Sequence, residues 1–325
     1  MSEAVDTARA GVHEAPASAR DAEPALRTRS LRKTYGRTVA VSDVDLTVPR
    51  GAVLGMLGPN GSGKTTTIRM LLGLTEPTSG SVELLGHRIP EHTGRALPLV
   101  GALVEGPGFH PFLSGRRNLQ RCAAVEPGLF GSDTDTAVEQ ALERVGLAEA
   151  AERRYRSYSL GMKQRLGLAA ALLVPRELVV LDEPTNGLDP AGTREIRRVI
   201  ADLHADGTTV ILSSHLLSEV ENTCTHAAVL REGTLIAQGA LDTLLESTGP
   251  SLLVTVADTE EGLRALREAG VPVGEENGDL RVDLSDNRAP EVIAALVRAG
   301  VEVHEARRER AGLEDIFARL TEGET

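Results

Sequence analysis

Ala52-Val-Leu-Gly-Met-Leu-Gly-Pro-Asn-Gly-Ser-Gly-Lys-Thr-Thr66 joins three kinds of sequence in fifteen residues. Ala52–Leu57 is a short apolar stretch that reads as a buried strand. Glycines follow, and a helical pattern runs from Lys64 to Leu72. The spacing fits G-x-x-x-x-G-K-[ST] at Gly58, Gly63, Lys64 and Thr65. Glycines let successive backbone N–H groups converge on phosphate oxygens. A helix N-terminus adds the positive end of its dipole. Lys64 supplies a compact positive charge for the β- and γ-phosphates, and Thr65 a hydroxyl for Mg2+. Only three lysines, Lys33, Lys64 and Lys163, occur among 35 basic residues, and one stands here, where a planar guanidinium would fit poorly. Taken alone, the loop says only that the chain binds a nucleoside triphosphate.

Further along, Leu178-Val-Val-Leu-Asp-Glu-Pro184 is a second apolar strand, and it ends in two acids. A strand buried on both faces carries acids at its C-terminal end when that end faces a site. Asp182 is placed to hold Mg2+ through its water shell, and Glu183 to polarise an attacking water. Val179–Leu181 and Thr209–Leu212 read as short buried strands, with an amphipathic helix over Thr193–His204 between them. Val39–Val48 alternates apolar and polar residues like one half-buried strand. Strands alternating with helices predict an α/β fold with a largely parallel sheet.

The chain has 325 residues and a net charge of −12, unevenly placed: residues 241–325 carry −10 and residues 1–240 only −2. That balance opposes a nucleic-acid binder, which needs clustered Lys and Arg. Cys122 and Cys224 fit no disulfide framework or C-x-x-C spacing and read as reduced thiols. No signal peptide is visible, and the longest apolar stretches, such as Leu166–Val174, fall short of the ~20 residues a membrane span needs. The chain is therefore expected to be soluble, with any membrane spans supplied by another polypeptide.

Residues 1–25, rich in Ala, Ser, Glu and Asp, read as a disordered tail. At the other end, Ala265-Leu-Arg-Glu-Ala-Gly-Val-Pro-Val273 echoes Ala295-Leu-Val-Arg-Ala-Gly-Val-Glu-Val303. Each copy reads as a helix end, a capping glycine and a strand start. With strands at Leu252–Val256 and Leu280–Leu284, the order β-α-β-β-α-β predicts a small α+β, ferredoxin-like C-terminal domain over 246–325. Leu313–Leu320 would be a final amphipathic helix. His304, between Glu302 and Glu305, lacks a second ligand and makes no metal site.

Between the phosphate-loop and carboxylate motifs stands Tyr158-Ser-Leu-Gly-Met-Lys-Gln-Arg165; Asn186-Gly-Leu-Asp189 and Ser213-Ser-His215 follow the acids. In this order the motifs resemble the ATP-binding cassette (ABC) ATPases. Tyr158–Arg165 resembles the family signature, matching at Ser159, Gly161, Gln164 and Arg165. Asn186–Asp189 resembles its D-loop, and His215 its switch histidine. Tyr35 stands where the family stacks an aromatic on adenine. The resemblance implies a P-loop NTPase domain with a helical subdomain over 26–245. It implies ATP and Mg2+ held by Tyr35, Gly58, Pro59, Asn60, Gly61, Ser62, Gly63, Lys64, Thr65 and Thr66. It also implies a head-to-tail homodimer in which Ser159 and Gly161 reach the γ-phosphate bound by the other copy. Asp189 would couple the two sites, and His215 would hold the water with Glu183.

Tyr158, Leu160 and Met162 depart from the family signature, and Glu105 stands where the family's Q-loop has a glutamine. A carboxylate at 105 could ligate Mg2+ but adds negative charge beside Glu183. Glu105, the signature and the tail Gly312-Leu-Glu-Asp-Ile-Phe-Ala-Arg-Leu320 are similar to the ATPases of bacitracin- and daunorubicin-type exporters. That likeness implies a separate membrane permease and a cytoplasmic, peripheral location at the inner face of the membrane. An import ATPase is the alternative. A ribosome- or DNA-acting ABC protein is disfavoured by the charge and by the single cassette. For the C-terminal domain a regulatory or dimer-supporting role is expected.

Overall fold

The computed structural model describes residues 23–106, 108–246, 250–284, 287–310 and 312–313. The strands up to residue 240 are β1 (Leu26–Tyr35), β2 (Thr38–Val44), β3 (Thr47–Val48), β4 (Val53–Leu57), β5 (Ser79–Leu84), β6 (His87–Ile89), β7 (Val100–Leu103), β8 (Leu178–Leu181), β9 (Thr209–Ser214), β10 (His226–Arg231) and β11 (Thr234–Ala240). The helices up to residue 246 are α1 (Lys64–Leu71), α2 (Thr93–Ala96), α3 (Gly115–Ala123), α4 (Ser132–Arg144), α5 (Leu160–Ala171), α6 (Pro190–Ala205), α7 (Leu217–Thr223) and α8 (Leu241–Glu246).

The apolar strands read from the sequence sit side by side. A six-stranded sheet runs β11-β10-β4-β9-β8-β7, parallel except for β11 at its edge. Its central strands β4, β9 and β8 are buried on both faces, as a parallel sheet requires. Successive side chains divide between two cores. Val53, Leu57, Val179, Leu181, Val210 and Leu212 join one, with residues of α3 to α8. Leu54, Met56, Leu178, Val180 and Ile211 join the other, shared with α1 and a second sheet. Register pairs Leu57 with Ser214 and Leu181 with Leu212. The loops leaving β4, β8 and β9 therefore open together at the carboxyl ends of the strands, where ligands bind in such folds.

The second sheet, β2-β1-β5-β6 with β3 also on β1, is antiparallel. It corrects the reading of Val39–Val48 as one strand. β2 bulges at Asp43, whose φ is +56°, the strand breaks at Asp45–Leu46, and β2 and β3 pair with different parts of β1. The break is pinned where the Asp45 carboxylate accepts the Ser30 N–H at 2.6 Å and Leu46 donates its N–H to Thr28 Oγ1 at 2.8 Å. Of the N-terminal tail, residues 1–22 lie outside the described residues. Ala25 belongs to the fold: it is fully buried and donates its N–H to Val48 O at 2.8 Å.

Beyond residue 249 come β12 (Pro250–Val256), α9 (Thr259–Glu268), β13 (Val273–Glu276), β14 (Asp279–Asp283), α10 (Ala289–Arg298) and β15 (Val303–Arg310). Their sheet is antiparallel in the order β13-β14-β12-β15, the expected β-α-β-β-α-β arrangement. The repeated A-G-V segment is a repeated helix cap. Gly270 and Gly300 take φ of +75° and +84°, and the valines after them donate N–H groups back to Leu266 O and Leu296 O at 2.9 and 3.0 Å. The expected last helix lies outside the described residues except for Leu313. That side chain is buried in the first core of the large sheet, and its N–H meets Glu221 Oε1 of α7 at 2.5 Å. No helix among the described residues is long and apolar enough to cross a membrane.

Candidate active site

The phosphate loop curls between β4 and α1 because two of its glycines admit no side chain. A Cβ on Gly58 (φ +156°) would lie 2.2 Å from Leu230 O, and one on Gly63 (φ +99°) 2.7 Å from Ala40 O. Lys64 is buried at the start of α1, and its Nζ donates to Gly58 O at 2.7 Å and Pro59 O at 3.2 Å. The ammonium is thus folded into the curl, 3.5 Å from Glu183 Oε1. Ser62 Oγ is buried there with no hydrogen-bond partner among the described residues. An unsatisfied buried hydroxyl needs an acceptor, and a phosphate oxygen is one.

Above the loop lies a cavity of roughly 390 Å3, lined by Tyr35, Thr38–Ala40, Asn60–Thr66, Glu183 and Asn186. Tyr35 is half exposed, with Lys33 Nζ 5.0 Å from its ring centroid. The cavity thus combines an aromatic wall, a loop of backbone donors and a buried ammonium.

Asp182 and Glu183 follow β8 at the same carboxyl end of the sheet. Ser213 Oγ donates to Asp182 Oδ1 at 2.6 Å and accepts the Glu183 N–H at 2.8 Å. Glu183 takes φ +49°, a strained conformation for a residue with a Cβ. Its Oε2 lies 2.8 Å from His215 Nδ1. While Glu183 is ionised, this contact sets the imidazole proton on Nδ1. One side chain thus touches both the phosphate-loop lysine and the histidine. Asp182 and Thr65 offer hard oxygen donors, and a carboxylate with a hydroxyl, completed by phosphate and water, is the donor set Mg2+ takes at phosphate sites.

Four expected site residues stand elsewhere. Ser159 caps α5 by accepting the Met162 N–H at 3.2 Å, and Leu160 beside it is half exposed. Gly161 lies by Leu188, and Gly187 by Leu160, so the signature and the D-loop touch each other rather than line this cavity. Asp189 caps α6 through the Gly192 N–H at 2.9 Å. Glu105, at φ +57° after β7, has its carboxylate on the Arg69 guanidinium and lies outside the cavity lining. Tyr158 is absorbed by packing. Its hydroxyl donates to Ala150 O at 2.8 Å, and a Cβ at Gly115 would lie 2.2 Å from Tyr158 Oη.

Sequence reasoning misses Ser213, Thr185 and Glu219. In Ser213-Ser-His215 the histidine carries the motif, although the two hydroxyls beside it signal that more than one acid needs a donor.

The model of the ABC transporter family matches residues 41–186. The chain is 37% identical to the bacitracin transport ATP-binding protein BcrA of Enterococcus faecalis, over 93% of this chain and 97% of that one. It is 37% identical to the Nod factor export ATP-binding protein I of Cupriavidus pinatubonensis, over 91% and 90%. Among solved structures it is similar to cbiO1 from Clostridium perfringens, part of the ABC transporter complex cbiONQ. There the TM-score is 0.62 and the identity 27%, covering 69% of this chain and 92% of that one.

Proposed function

The chain belongs to the ABC transporter family as an ATP-binding subunit, and from that premise we propose that it hydrolyses ATP to drive export of a drug- or antibiotic-like compound. The contact of Glu183 with both Lys64 and His215 at the cavity wall carries the hydrolytic part of the reading. ATP stacks its base on Tyr35 and lays its phosphates along Gly58–Thr66. Lys64 leaves the Gly58 and Pro59 carbonyls for the β- and γ-phosphates, a short swing for a flexible ammonium. Glu183 Oε1, freed from Lys64, takes a proton from the attacking water. His215, oriented through Nδ1, presents its other ring nitrogen to the γ-phosphate. Thr65 and Asp182 would hold Mg2+, which neutralises charge developing on the phosphates when bound.

Charge on the outer side of the γ-phosphate must come from elsewhere. Ser159, Gly161 and Asp189 lie outside the chain's own cavity, which favours their supply by a second copy in a head-to-tail dimer. The names of the relatives support export, and a separate permease would carry the compound at the inner face of the membrane. Residues 26–245 then form the ATPase domain and 246–325 an accessory domain.

Steady-state ATPase of Glu183→Gln tests the chemistry. Turnover should fall at least ~10²-fold, with ATP binding retained. Unchanged turnover would remove Glu183 as the base. Co-purification of the tagged chain with a multi-span membrane protein tests the transport part, and recovery with ribosomes or DNA instead would refute it.

A further inference from the structure

Three consecutive residues at the end of β9 each hold a different carboxylate. Ser213 donates to Asp182 at 2.6 Å, and His215 meets Glu183 at 2.8 Å. Between them Ser214 Oγ donates to Glu219 Oε2 at 2.9 Å. The first two acids belong to the proposed chemistry; the third does not touch the cavity.

Glu219 lies in the first turn of α7 and is only 8% exposed. The same Oε2 accepts the Thr185 hydroxyl at 2.6 Å. Both of these partners are hydroxyls, not cations. Burying a carboxylate is costly, and hydroxyls bound to an ionised acceptor make stronger bonds than neutral pairs. Thr185 stands two residues after Glu183. Ser214 stands one residue before His215, and its oxygen also accepts the Leu216 N–H at 3.0 Å, closing the backbone around the histidine. One buried oxygen therefore ties the loop carrying Glu183 to the loop carrying His215.

We propose that Glu219 is a positioning residue for ATP hydrolysis, holding Glu183 and His215 in register through Thr185 and Ser214; this rests on the catalytic roles proposed above. Its side chain does not line the nucleotide cavity. Its removal therefore loosens the pair without emptying the nucleotide cradle.

The test is ATP turnover of the full chain with Glu219→Ala, Glu219→Gln and Thr185→Val. Removing an outer-shell partner of this kind costs roughly 10–100-fold. Glu219→Ala should lose that much in kcat, with KM for ATP within about twofold, because the cradle is intact. Glu219→Gln should recover most of the loss, since an amide oxygen can accept both hydroxyls. Thr185→Val keeps the shape and removes one donor, so it should lie between them. In a Glu183→Gln background Glu219→Ala should cost little more, because the two residues act as a unit. Wild-type kcat in Glu219→Ala overturns the proposal, as does a full additional loss in the Glu183→Gln background. If Glu219→Ala fails to fold, wild-type kcat in Thr185→Val overturns it. A parent chain that hydrolyses no ATP overturns the hydrolytic reading itself, a result distinct from an active parent with an indifferent Glu219.

Discussion

Glu183 and Cys224 show two ways a residue is governed by what surrounds it. Glu183 is legible in the sequence because an acid pair at the end of an apolar strand, downstream of a phosphate loop, has few other uses. Its strained φ and its two contacts are not, because they depend on Lys64 and His215, far away in the chain. Glu219 is less legible still, since a hydroxyl 34 positions away leaves no spacing to read. Cys224 is packed under Gly55, where a Cβ would come within 2.9 Å of its sulfur, and burial pushes its thiol up to about 12. The thiolate is the reactive form, and at pH 8 about one thiol in ten thousand would be ionised. Raising the pH increases that fraction, and lowering it reduces the fraction further. Iodoacetamide at pH 8, followed by mass spectrometry, should leave Cys224 unmodified in the native chain and label it after denaturation. Rapid native labelling would show that the thiol is not enclosed.

At the scale of the element, strand–loop–helix units with strong local signals are readable, and β4, β8 and β9 lie where their apolar stretches put them. The antiparallel sheet is not, because β1 pairs with three different strands and its register depends on side-chain hydrogen bonds such as Ser30 to Asp45. The A-L-x-x-A-G-V-x-V repeat is readable because it encodes a backbone shape. Gly300 tests that. Its φ is +84° and nothing lies within 4 Å of where a Cβ would be, so Gly300→Ala changes backbone strain alone. It should destabilise the small sheet by about 1–2 kcal/mol, read as a lower denaturation midpoint with a native circular dichroism spectrum. Gly270, at φ +75° and equally open, should behave alike. No change at either site would mean that the caps relax into another turn.

For the whole molecule, the charge division is plain in the sequence: the last 85 residues carry nearly all of the −12. What composition cannot convey is that the acidic end of the chain returns to the first core. Leu313 lies past the small sheet yet is buried among residues of the large one. Leu313→Ala should cost about 2–5 kcal/mol as a large-to-small core change. It should lower the melting temperature of the nucleotide-binding part, measured in the presence and absence of ATP. If only the small sheet were destabilised, the anchor would not bear on the larger core.

That anchor gives the small sheet two moorings. It departs from α8, whose Leu241 is buried in the first core, and its far end is pinned by Leu313 to α7. A body moored at one point swings like a pendulum, whereas one moored at two turns like a door on the line between its hinges. The second hinge is fixed to the helix that follows His215. The line of that hinge therefore ends at Glu221, on a helix that starts two residues after the histidine.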